Sequence, residues 1–65
     1  MYKMVINIGG EPRIFLFRGP HCRKKMLEWY RHYLDKAAES VEDIKSIRVW
    51  GTAGDKADLV LEWAP

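Results

Sequence analysis

Cys22 stands between His21 and the run Arg23-Lys24-Lys25, just after Gly19-Pro20. A thiol at a helix start beside cations is held toward the thiolate, the nucleophilic form. The same three cations crowd a helix N-terminus that already carries partial positive charge, which costs stability unless an anion answers it. Free backbone N–H groups and basic side chains converging there define a phosphate or anion site. A solvated basic turn, answered by Glu28 or by the acidic C-terminal half, explains the same residues, and charge runs usually face solvent.

His21-Cys22 is similar to the start of the phosphatase loop, in which Cys and Arg stand six positions apart. That position here is Glu28, so Cys22 is read as a small, half-buried apolar residue. His21, Cys22 and His32 lack metal-ligand spacing on one helical face. No carboxylate pair is placed by the sequence across a pocket. No catalytic, metal or cofactor set is expected, and the chain is read as non-enzymatic.

These residues belong to one amphipathic stretch, Gly19 to Val41, with Pro20 suited to the first helical position. At roughly 100° per residue its apolar residues cover half the circumference. Tyr30, Leu34, Ala37 and Val41 are placed near the middle of the arc. Trp29, Tyr33 and Cys22 fall at one edge, next to Lys25, His32 and Lys36, making that edge both aromatic and basic. Lys24, Glu28, Arg31, His32, Asp35 and Glu39 form the opposite, solvated face.

Before the helix, Tyr2 to Ile8 alternates as a half-buried strand and Arg13 to Arg18 is a strand apolar on both sides, joined through Gly9-Gly10-Glu11-Pro12. After it, Ile44 to Trp50 and Ala57 to Trp63 form a second hairpin around Gly51 to Lys56. The expected class is α+β: one ββαββ domain over 1–65, a four-stranded mixed sheet with the helix on one face, the hairpins meeting through their outer strands in parallel. This layout, with the opening Tyr2-Lys3-Met4-Val5-Ile6-Asn7, resembles the immunoglobulin-binding domains of protein G and the wider β-grasp group. It also resembles designed ββαββ mini-protein binders, although Cys22, His21, His32 and a basic first turn are choices that idealised sequences avoid.

Sixty-five residues hold one core and leave a small stability margin. A single cysteine rules out an internal disulfide framework and a Cys-based zinc site. The free thiol leans toward a reducing compartment. No apolar run has the length of a membrane span and no signal core is visible, so the chain reads as soluble. Arg13 to His32 carries six bases against one acid, whereas Tyr33 to Pro65 carries seven acids against four bases.

Three tryptophans and three tyrosines in so short a chain exceed what one helix and one sheet face hide. If Tyr2, Met4, Ile47, Val49, Leu59, Leu61 and Trp63 face the helix, Val5, Trp50 and Val60 occupy the other face, joined by either Phe15 and Phe17 or Ile14 and Leu16. Misphased strands would instead return some of these to the core. The expected function is protein–protein contact, by a natural small regulator or a designed binder, through Trp29, His32, Tyr33, Lys36 and Lys25 on the helix with Trp50 as an outlying candidate. The alternative is a nucleic-acid-binding domain using Arg13, Arg18, Arg23, Lys24, Lys25 and Arg31 for phosphates and Phe15, Phe17 or Trp50 for stacking. Its modest net charge of +2 counts against it. Self-association is compatible with both.

Overall fold

A computed structural model describes all residues, 1–65. The chain runs β1 (Tyr2–Ile8), β2 (Glu11–Phe17), α1 (Cys22–Ala38), β3 (Ile44–Ala53) and β4 (Lys56–Trp63). Gly9 and Gly10 take φ of 61° and 91°, the two positive values that a two-residue turn matched to strand twist demands. Gly10 N–H donates to Asn7 Oδ1 at 3.0 Å, and Gly9 N–H donates to the Asp43 carbonyl at 2.8 Å.

The strands form one open sheet in the order β2-β1-β3-β4, and every neighbouring pair is antiparallel. The class is α+β with ββαββ order, as the sequence implies, but the sheet is not mixed. Chain direction reverses at each connection, so β4 beside β1 would run parallel and β3 beside β1 must run antiparallel. Burial follows this order. β3 buries Ile44, Ile47 and Val49, whereas β4 buries no residue fully. The parallel junction implied by the β-grasp resemblance is therefore absent.

The core is Met4, Ile6, Phe17, Ile44, Ile47 and Val49 from the sheet with Met26 and Tyr33 from α1. Register assigns the two faces. Met4 is opposite Phe15 and Tyr2 opposite Phe17, so the phenylalanines lie under the helix, and Ile14 and Leu16 face away. In β4 the pairing shifts between Val49–Leu61 and Trp50–Leu59, leaving Val60 as an extra residue, a β-bulge. Leu59 consequently lies on the open face with Trp50, and Val60 lines a hollow with Tyr2, Met26 and Leu61. Both reverse the placement expected from strict alternation. A Cβ on Gly51 would stand 3.3 Å from Val60 Cγ1 and 3.5 Å from Tyr2 Cε1, so glycine lets the bulge close there.

The helix is shorter than the expected stretch. Pro20 sits in the turn ahead of it, with His21 at the N-cap position. At the other end Ser40 N–H donates to Ala37 O and Val41 N–H to Lys36 O, which together close a Schellman motif. Ser40 occupies its left-handed position at φ 56°, a conformation that L residues adopt at a cost. Ser40→Gly should therefore stabilise the fold by about 0.5–1 kcal/mol and raise the melting temperature by a few degrees, read by thermal circular dichroism.

Candidate contact surface

α1 turns its Met26–Tyr33 line onto the sheet, displaced toward β2 from the Tyr30–Leu34–Val41 centre that apolar counting suggests. The large aromatic residues decide this. Trp29 and Tyr33 find ring partners on β2: Phe15 lies 5.3 Å from Trp29 and 5.9 Å from Tyr33 between centroids, and Phe17 lies 6.2 Å from Trp29. Tilted and edge-on pairs at such distances are favourable beyond the area that they bury. Leu27 and Val41 are left 42% and 62% exposed on the opposite flank.

The expected site residues separate accordingly. Tyr33 is a core residue at 8% exposure. Its ring is met edge-on by His32 at 5.5 Å, and Lys36 Nζ stands 5.6 Å from its centroid, within cation–π range. Trp29 is 42% exposed and rests on Phe15, Phe17 and Tyr33, presenting the rest of its ring to solvent. Lys25, Trp29, His32 and Lys36, spaced four, three and four apart, share this flank of the helix. Trp50 does not join them. It is half-buried on the open face of the sheet, in register between Lys3 and Leu59.

Sequence patterning alone missed the edge of β2. The turn makes Ile8 and Glu11 a hydrogen-bonded pair, so the backbone groups of Ile14 and Leu16 point away from β1. Pro12 falls in the same outward phase, where its missing N–H removes no ladder bond. Ile14 and Leu16 are 57% and 52% exposed, and Ile14 to Phe17 are four apolar residues in a row. The legible signal is a strand apolar on both sides, whose phase the sequence leaves open between Phe15–Phe17 and Ile14–Leu16. β4, the other edge, carries Lys56, Asp58 and Glu62 and a bulge, the devices that keep an edge from pairing.

The remaining candidates are placed as follows. Cys22 is half-buried against the core. Arg23, Lys24 and Lys25 are exposed, no acid lies in the first helical turn, and His21 makes no side-chain cap bond. The ion pairs lie elsewhere, Lys45–Asp43 at 3.3 Å and Arg48–Glu62 at 2.8 Å. Phe17 is buried and Phe15 lies beneath Trp29 and Tyr33, which removes both as platforms for stacked bases. No three His, Cys, Asp or Glu side chains gather as a metal site, and no helix is long and apolar enough to cross a membrane.

Tyr30, on the flank away from β2, has its phenol pKa raised, first by burial and then by the charge of Glu62. The protonated phenol is favoured in the folded state. The contribution of Tyr30 to stability is therefore fully present below its ordinary value of 10.0 and is lost as pH rises through the folded-state value. Ultraviolet titration should show one tyrosine ionising late, and Tyr30→Phe should remove it.

The fold defines a small α+β domain of ββαββ order. No family model, curated protein or solved structure matches the chain.

Proposed function

We propose that this chain is a non-enzymatic protein-binding module whose contact surface is the Trp29 flank of α1 together with the edge of β2. The observation that supports it is Trp29, 42% exposed yet seated on an aromatic shelf. Tryptophan held this way presents a large area with little rotamer freedom to lose, which is how interface anchors work. Lys25, His32 and Lys36 form a polar rim around it, and Lys36 is oriented by the Tyr33 ring.

The reading is tested by capture from a cell extract on immobilised protein, with the enriched protein identified, purified and titrated against wild type, Trp29→Ala and Trp50→Ser. A protein enriched by wild type and by Trp50→Ser but lost with Trp29→Ala supports it. Enrichment that ignores Trp29 and depends on Trp50 would move the contact to the open sheet face.

A further inference from the structure

The geometry points to strand addition at β2: an acidic extended segment of a partner protein pairs with the free edge of β2, alternating acidic and apolar side chains. This rests on the reading of the Trp29 flank as a contact surface, and it names the chemistry of the partner.

Three observations carry it. First, the two sheet edges differ. β4 is blunted by charges and a bulge, whereas β2 presents the outward N–H and C=O groups of Ile14 and Leu16 with only Pro12 limiting its far end. Over Ile14–Phe17 no charge, proline or bulge interrupts this edge, and such a stretch is a template for another strand. Second, the two sides of that edge differ in kind. The open-face side offers exposed Ile14 and Leu16, while the helix side offers Arg13, Phe15 and Trp29, with Lys25 and Lys36 above on the same flank of α1. A strand shows alternate residues to the two sides, so its apolar residues would extend the Ile14–Leu16 patch and its acids would meet Arg13, Lys25 and Lys36. Third, the ion pairs of the fold lie away from this edge, and none engages Arg13, Lys25 or Lys36. A second copy pairing its β2 here would bring a second set of these cations to the same side of the junction, which favours an acidic partner instead.

The test uses the full chain and a fluorescein-labelled, acetylated heptapeptide alternating Glu and Val, read by anisotropy, with a Lys–Val peptide as control. The Glu–Val peptide is expected to bind at least about tenfold more tightly than the control, and to weaken as salt rises from about 50 to about 500 mM. In amide exchange it should slow Ile14 and Leu16 selectively. Leu16→Pro removes an N–H that no strand of the fold uses, and should abolish binding. Should that variant unfold, the exposed reversals Arg13→Glu and Lys25→Glu serve instead, each weakening the Glu–Val peptide about threefold or more. Strand addition is overturned by no binding up to about 1 mM peptide, by equal binding of both peptides, by binding indifferent to Leu16→Pro, or by sedimentation showing a dimer that Leu16→Pro disperses. If the peptide fails while capture still depends on Trp29, strand addition alone falls. If capture ignores Trp29, the contact surface itself falls.

Discussion

Tyr33→Ala is expected to leave the chain unfolded or nearly so at 25 °C. Tyr33 is 8% exposed and packs its ring against Phe15 and Trp29, so truncation removes most of a buried aromatic side chain and opens a void between helix and sheet. Losses of that kind run to about 3–5 kcal/mol. A domain of this length has about 3–10 kcal/mol in total, from about 0.05–0.15 kcal/mol per residue. Tyr33→Phe keeps the ring contacts and should fold, with a cost of about 1 kcal/mol or less. Urea unfolding followed by circular dichroism separates the two. A folded Tyr33→Ala would mean that the aromatic shelf is not part of the core.

Ile47→Ala should be comparably severe, about 2–5 kcal/mol. Ile47 is fully buried on the central pair of strands, between Ile6 and Trp63 in register. It has no solvent path by which the site collapses cheaply. Ile14→Ala deletes a side chain of the same kind from the open face, where it is 57% exposed, and should change stability by about 0.5 kcal/mol or less. The pair of variants reports which face of the sheet carries the core. Equal costs would contradict the register of β2.

Much of the architecture was legible because the alternation of Tyr2, Met4, Ile6 and Ile8 and the glycines between paired runs are local signals. Which strand lies in the middle was not. Pairing between hairpins is a long-range choice, settled here by the greater buried apolar content of Ile44, Ile47 and Val49 over β4. The sequence leaves the phase of β2 open between Phe15–Phe17 and Ile14–Leu16 because both sets are apolar, and ring packing with Trp29 and Tyr33 selects the former. Strict alternation places Leu59 and Val60 on the wrong faces because a bulge resets the two-residue period without announcing itself in composition. At the candidate site, counting apolar residues located the flank that holds Trp29, His32 and Lys36 but put Tyr33 at its exposed rim. The helix rolls toward the larger aromatic partners, and that roll carries Tyr33 inward while Trp29 stays half outside.

The most direct measurement is the equilibrium unfolding of Trp29→Ala, followed by circular dichroism beside Tyr33→Ala. Trp29 keeps 42% of its surface in water. Its removal should cost about 2–3 kcal/mol, less than the loss of Tyr33, and leave a cooperative, folded chain with native strand and helix content. A Trp29→Ala variant that collapses as Tyr33→Ala does would make Trp29 a core residue and contradict its role as a contact anchor.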